Sequence, residues 1–410
     1  MGNQFADGRF RFAVGIEDTF VPQVALGRRA LDEYELTQHY HFWHTDLGLA
    51  RQAGATTIRY GIPWYRIEPE PGRFRWSWVD EVVDRLEELG LEAIVDLMHY
   101  GTPLWLDNAF LNHSYPERIA AYAAAVAERY RGRLTAFTPL NEPLVNAEFC
   151  GERGTWPPYL TGHDGFVKLV RALVRGIVAT QGAVADVTRG EATSVHVEAT
   201  FRYTGDALPD DVDQLRLRPV LVQDLVSGRV TDDHPLAAYL REHGFTDDDF
   251  AWCAENTAEP DVLGINYYPH LSTTEYVAGE ALPRRGYEGG AGLEEVVRAF
   301  AERYGRPLFL TETSMTGDAQ ERIAWLDESV GVIRRLIADG IDIVGYTWWP
   351  LFDLVDWTYR EATTSIDEYL RRMGLYDLAP NDVGVLERVG TPVVERFREH
   401  ARAGALAEAK

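Results

Sequence analysis

A chain of 410 residues with 46% apolar and 25% charged side chains is a globular protein able to bury a substantial core. Its 40 Lys and Arg against 64 Asp and Glu leave a formal charge of −24, a field that repels polyanions and argues against nucleic acid or an anionic membrane as partner. The cysteines, Cys150 and Cys253, make neither a metal-ligand spacing nor a disulfide framework, and no stretch reads as a signal peptide or membrane span, so a reduced, cytoplasmic protein is expected.

Short apolar runs alternate with helical patterns along the whole length. "RFAVG" is the first strand candidate. "HYHFWH" (39–44) invites a metal reading through His39, His41 and His44, but no nearby carboxylate–histidine pair completes a site, and no metal is expected. "ATTIRYGI" (55–62) is the second strand, after a helix ending at Gly54. In "WVDEVVDRLEELG" Val79, Val82, Val83, Leu86 and Leu89 share one helical face, and Gly90 supplies the stop. "LEAIVDLMHY" follows as the third strand. Next, Ser114 and Glu117 form the pattern of a capping box, with Ile119, Tyr122, Val126 and Tyr130 as a core face.

The fourth strand, Leu134 to Leu140, halts at Asn141-Glu142-Pro143. Pro143 has no N–H to donate and biases Glu142 toward an extended backbone. A carboxylate left there is either a helix cap or a working group. A helix near 165–182 leads to "ATSVHVEA", and "PDVLGINYY", "RPLFLTETS" and "DIVGYTWWP" complete the set. Between the last two, Ile323, Leu326, Val330, Ile333 and Ile337 mark a helix ended by Gly340. Eight strands alternating with helices, without a linker, predict one α/β domain over residues 1–410, a single (β/α)8 TIM barrel. A doubly wound sheet with a cap domain is the second choice, disfavoured because no Gly-rich phosphate loop follows any strand.

In a barrel, functional residues gather at the C-terminal ends of the strands. Those ends carry Arg59, His99, Asn141, Glu142, His196, Asn266, Tyr267, Tyr268, Glu312, Trp348 and Trp349. Two carboxylates across a sugar-sized cleft are the working parts of glycoside hydrolysis. At roughly 5 Å and an effective dielectric of about 20, they repel by about 3 kcal/mol, or about two pKa units. That keeps one protonated, to serve the leaving oxygen, while the other attacks the anomeric carbon. Arg59 favours ionisation of whichever carboxylate it adjoins, which marks the nucleophile. Each residue also has a plainer reading. "NEP" can start a turn, Thr311 or Thr313 can cap a helix, His196 can be a core histidine, and Asp353 and Asp356 can cap loops. The 11 Trp, 20 Tyr and 17 Phe serve a core by default and also offer flat platforms for sugar rings.

The motifs resemble those of the β-glycosidases of glycoside hydrolase family 1, over nearly the whole chain. "TPLNEP" is similar to the acid/base motif, implying Glu142 as general acid/base and Asn141 as a contact to the sugar 2-hydroxyl. "LTETS" resembles the nucleophile motif and implies Glu312 in that role. "DVLGINYY" implies Asn266 and Tyr268 beside the nucleophile, and "TIRYGIPWYRIEP" implies that Arg59 supports it. "MHYGTPLWL" implies that His99 binds the glycone. "GYTWWPLFDLVDW" implies Trp349 as a stacking platform, with Asp356 and Trp357 at the glycone hydroxyls. Departures fall on the glycone side. Phe20 stands where an ungapped match expects a glutamine, with Glu17 and Asp18 nearby; Asp356 replaces a glutamate; Thr313-Ser314 replaces Asn-Gly. The resemblance implies a retaining β-glycosidase of the β-glucosidase or β-galactosidase kind, acting without cofactor on a small-molecule glycoside or oligosaccharide. A transglycosidase in the same site and a non-catalytic carbohydrate-binding barrel are the alternatives, and the glycone, aglycone and oligomeric state stay open.

Overall fold

The computed structural model describes residues 4–408. Eight parallel strands close into a barrel: β1 Arg11–Gly15, β2 Thr57–Gly61, β3 Glu92–Asp96, β4 Ala136–Thr138, β5 Thr193–Ala199, β6 Val262–Asn266, β7 Leu308–Thr313 and β8 Ile343–Trp348. Each pairs with its neighbours in chain order, and β1 pairs with both β2 and β8 to close the ring. Around them run α1 His39–Gln52, α2 Ser77–Leu89, α3 Tyr115–Arg129, α4 Gly162–Thr188, α5 Val212–Val226, α6 Gly289–Tyr304, α7 Ala319–Ala338 and α8 Pro392–Glu408. No helix among the described residues is long and apolar enough to cross a membrane.

Alternation along each strand separates two cores. Ala13, Ile94, Ala136, Val195, Val197, Val262 and Phe309 fill the barrel interior, whereas Val14, Ile58, Val95, Phe137, Leu263 and Leu310 join the larger layer under the helices. Continued upward, the inner parity brings Gly15, Arg59, Asp96 and Asn266 to the top of the barrel. Glycine is required at two of these strand ends. A Cβ on Gly15 would lie 1.9 Å from the Trp349 indole, and one on Gly61 would lie 2.1 Å from Asp18 Oδ2.

Two local expectations change. Helix α3 starts at Tyr115 without a side-chain cap, because the Ser114 hydroxyl donates to Asn112 Oδ1 at 2.8 Å instead of closing a box with Glu117. Capping boxes occur instead at α7, where Asp318 and Glu321 satisfy each other's backbone N–H groups, and at the short helix Asp247–Glu255, where Thr246 and Asp249 do the same. Ile337, placed on the core face by periodicity, is 40% exposed in the last turn of α7. The "HYHFWH" histidines part company: His39 is buried between Asp46 and the Tyr60 hydroxyl, while His41 and His44 face outward on α1.

Candidate active site

Arg59 organises the top of the barrel. From the end of β2 it donates through Nη1 to Glu312 Oε1 at 2.6 Å, and through Nη2 to Asp96 Oδ2 at 2.6 Å and Asn141 Oδ1 at 3.0 Å. The guanidinium is fully buried; burial opposes its charge, but Asp96 and Glu312 outweigh it and hold the proton more tightly than usual. Glu312 accepts a second bond from the Tyr268 hydroxyl at 2.7 Å.

Strict alternation would have sent Glu312 the wrong way. Phe309 points into the barrel and Thr311 Oγ1 donates inward to Asn266 Oδ1 at 2.7 Å, so Glu312 should face the helices. The register of β7 shifts between Leu310 and Glu312 on one side and between Leu310 and Thr313 on the other. That bulge reverses the phase: Glu312 turns inward, and Thr313 meets the Trp325 indole N–H of α7 at 2.9 Å.

Glu142 stands at a break in the chain. Instead of the extended backbone expected before Pro143, it adopts φ 44 and ψ 65, a left-handed conformation. The proline bars the right-handed region, and the left-handed one turns the chain into the short helix Pro143–Ala147 while Glu142 N–H still reaches Val197 O at 3.1 Å. The side chain makes no helix-cap bond. It accepts from Asn266 Nδ2 at 2.9 Å on Oε1 and from the Tyr100 hydroxyl on Oε2. Behind it, Glu198 of β5 accepts from Leu144 N–H at 3.2 Å and from Ala199 N–H at 2.9 Å, which pins the start of that helix.

Burial pushes both Glu142 and Glu312 above the ordinary carboxyl range, and Glu142 further raises Glu312. Only Glu312 has a cationic partner in contact; Glu142 has two neutral donors. The Arg59 contact draws negative charge toward Glu312, while burial and the neighbouring Glu142 still hold its pKa up at about 8.

A second group lies beside this pair. His99 Nδ1 is 2.6 Å from Asp18 Oδ1, its Nε2 is 2.9 Å from Asn141 Nδ2, and its ring stacks on Trp349 at 5.9 Å and 14°. The Trp349 indole N–H donates to Glu17 Oε2 at 2.9 Å, and the Arg59 guanidinium lies 4.7 Å over its ring. Burial raises Asp18 to about 7, with His99 opposing. Among the described residues, Asp18, Asp96 and His99 present ligand atoms within 4.8 Å of one another. Arg59 already occupies Asp96, so a cation there would face a guanidinium, and the group reads as an ion-pair network.

Eight of the ten residues singled out in the sequence thus form one connected set: Arg59, His99, Asn141, Glu142, Asn266, Tyr268, Glu312 and Trp349. Trp357 lies one layer out, edge-on to Tyr100 at 5.5 Å and Trp156 at 5.2 Å. Asp356 is separate: it caps a short helix through Thr358 N–H at 2.9 Å and pairs with Arg371 at 2.7 Å, the plainer of its two readings. His196 is a core histidine on the helix-facing side of β5, pushed down to about 3 by burial. Asp353 is a buried staple for the backbone N–H groups of Met373, Gly374 and Leu378. Phe20 packs on Tyr34 at 5.1 Å, so Glu17 and Asp18 line the site in place of that residue. Asp96, Tyr100 and Glu198 carried no motif of their own; strand-end position was the one signal for Asp96.

The sequence model of glycosyl hydrolase family 1 matches residues 2–216 and 274–364. Asn266 and Tyr268 lie in the unmatched stretch between, yet contact Glu142 and Glu312. A bifunctional β-D-glucosidase/β-D-fucosidase of Bifidobacterium breve is 26% identical over 392 residues, 82% of each chain. The aryl-phospho-β-D-glucosidase BglH of Bacillus subtilis is 26% identical over 369 residues, 77% of this chain and 76% of that one. A β-glucosidase from Thermotoga maritima, solved with azafagomine, superimposes with a TM-score of 0.81 at 18% identity, covering 97% of this chain and 98% of its own.

Proposed function

The chain belongs to glycosyl hydrolase family 1 and is a β-glucosidase-like, retaining O-glycosyl hydrolase, and from that premise we propose that Glu312 is its nucleophile and Glu142 its general acid/base. The observation that carries the assignment is the 2.6 Å bond from Arg59 to Glu312, which makes two identical side chains unequal. In the first half-reaction the Glu312 carboxylate bonds to the anomeric carbon, the glycosidic C–O bond breaks, and the Glu142 proton goes to the leaving oxygen. In the second, water attacks the same carbon, its proton passes to Glu142, and Glu312 leaves as a carboxylate. Arg59 and Tyr268 steady Glu312, Asn141 and Asn266 orient the sugar and the acid/base, and Trp349 with His99 forms the glycone floor.

The glycone in this reading is an unphosphorylated, uncharged sugar. The cations on the Trp349 and His99 side of the site, Arg59 and His99, are already paired with Asp96 and Glu312 and with Asp18, and Glu17 adds a further carboxylate, so neither cation is left to hold a phosphate or uronate. Asp356 and Trp357 bound the outer edge. The protein works as one domain over residues 1–410, in the cytoplasm, with its two buried thiols free. A non-catalytic barrel is the weaker reading, because both glutamates keep the hydrogen-bonded settings of a working pair; a transglycosidase would use those same settings with an alcohol in place of water.

Intact mass after incubation with activated 2-deoxy-2-fluoro β-glycosides tests the assignment. A gain of one fluorosugar on the wild-type chain, absent from Glu312→Gln, is expected with uncharged sugars and not with 6-phospho sugars. A gain that persists in Glu312→Gln moves the nucleophile elsewhere.

A further inference from the structure

Resting on Glu142 as the acid/base, we propose that Tyr100 is a positioning residue that holds Glu142 in its proton-accepting state and so sets the balance between the two half-reactions. One fixed donor determines the direction of every bond around it. An arginine has donors and no acceptor. Arg59 Nη2, 3.0 Å from Asn141 Oδ1, therefore turns the Asn141 NH2 toward His99 Nε2 at 2.9 Å and the Tyr100 oxygen at 3.0 Å. The Tyr100 oxygen is the acceptor of that bond, so its own hydrogen goes to Glu142 Oε2. Asn266 Nδ2 donates to Oε1. Both oxygens of Glu142 accept, which is the arrangement of a carboxylate.

The half-reactions make opposite demands on this residue. The first needs a proton on Glu142 to hand to the leaving oxygen. The second needs an ionised Glu142 to take a proton from water. Tyr100 helps the second alone: a proton on Oε2 collides with the tyrosine hydrogen, and that hydroxyl has no third hydrogen-bond partner among the described residues.

Tyr100 is held where it stands. Its ring meets His99 edge-on at 4.5 Å and packs beside Trp156 at 5.0 Å and Trp357 at 5.5 Å. Its backbone is left-handed, with φ 79, and its carbonyl accepts from Asn146 Nδ2 at 3.3 Å. Burial, and then Glu142, keep the hydroxyl proton in place by raising its pKa well above the ordinary tyrosine value. The other groups facing Glu142 are mixed: Arg59 favours its ionised form, as does the His99 ring when it carries a second proton, and burial opposes it. Glu312 and Glu198 are the acidic neighbours, and Tyr268 is a neutral one.

Tyr100→Phe removes the donor and keeps the packed ring. On an activated aryl glycoside, where deglycosylation limits turnover, kcat and KM are expected to fall together by about tenfold, the size of losing one hydrogen bond to a charged group. The covalent adduct should accumulate, and azide, which needs no general base, should restore turnover. On a poor leaving group the basic limb of kcat/KM should move up by about one pH unit, because the charged form of Glu142 has lost a donor. An unmoved limb, with kcat and kcat/KM lowered alike for good and poor leaving groups and no azide effect, overturns the inference. Glu142→Ala is assayed alongside. If it shows no dependence on the leaving group, the acid/base reading itself fails; if it does show one while the Tyr100→Phe limb stays put, only the role of Tyr100 fails.

Discussion

The ends of β7 and β4 deliver the same side chain by different means. Glu312 sits inside a six-residue strand, turned inward by a bulge and fastened to a buried cation. Glu142 sits beyond a three-residue strand, on a left-handed backbone, fastened only by neutral donors. The first setting fixes a charge. The second fixes a position and leaves the proton free to come and go. In the proposed mechanism the two glutamates take opposite duties through what lies within hydrogen-bond reach of each.

The difference can be broken from either side. Removing the fixed charge has the largest effect: Glu312→Gln should reduce turnover of every glycoside to background, because no other carboxylate in the set is placed to bond to the anomeric carbon, and steady-state assay across leaving groups checks this. Removing the movable proton is graded. Glu142→Ala should cost about 10²- to 10⁴-fold on alkyl glycosides and about tenfold or less on dinitrophenyl glycosides in the first half-reaction, since a good leaving group hardly needs a proton. Equal losses on both classes take Glu142 out of the acid role.

The smallest effect is expected behind the β4 end. Glu198 is pushed well above the ordinary carboxyl value by burial, so the fold binds a proton that the unfolded chain releases above about 4.5. Stability from that proton is complete at low pH and is lost as pH rises toward the folded value. Glu198→Gln, which keeps an acceptor for Leu144 N–H, should therefore raise Tm at pH 8 by on the order of 2 °C and change it little at pH 5, read by thermal melts. Equal shifts at both pH values would mean that Glu198 is already ionised in the fold.

Much of the site was legible because residue type and strand-end position coincide. Asn266 and Trp349 lie where an apolar run stops, Arg59 interrupts one in mid-strand, and short-range alternation is enough to aim Arg59 and Asn266 inward. The misses have a common cause. The phase of Glu312 depends on a bulge, which is a relation between strands. The backbone of Glu142 depends on Val197 O from the next strand. Tyr100 reads as one more aromatic until its hydroxyl is seen on Glu142. Asp356 carries a further relation that its motif does not show: Arg371 and Thr358 hold it at the start of a short helix.

By itself the amino-acid sequence determined the barrel, through eight apolar runs alternating with amphipathic helices, and the reaction class, through two glutamates and an arginine at strand ends. Those are matters of period and residue type, carried by neighbours along the chain. Which glutamate meets the arginine, which way each hydrogen bond runs, and that Glu17 and Asp18 reach Trp349 and His99 were decided by the tertiary structure. Hydrogen bonds and ion pairs act over about 3 Å, and only closure of the barrel brings residues so distant in the chain within that reach.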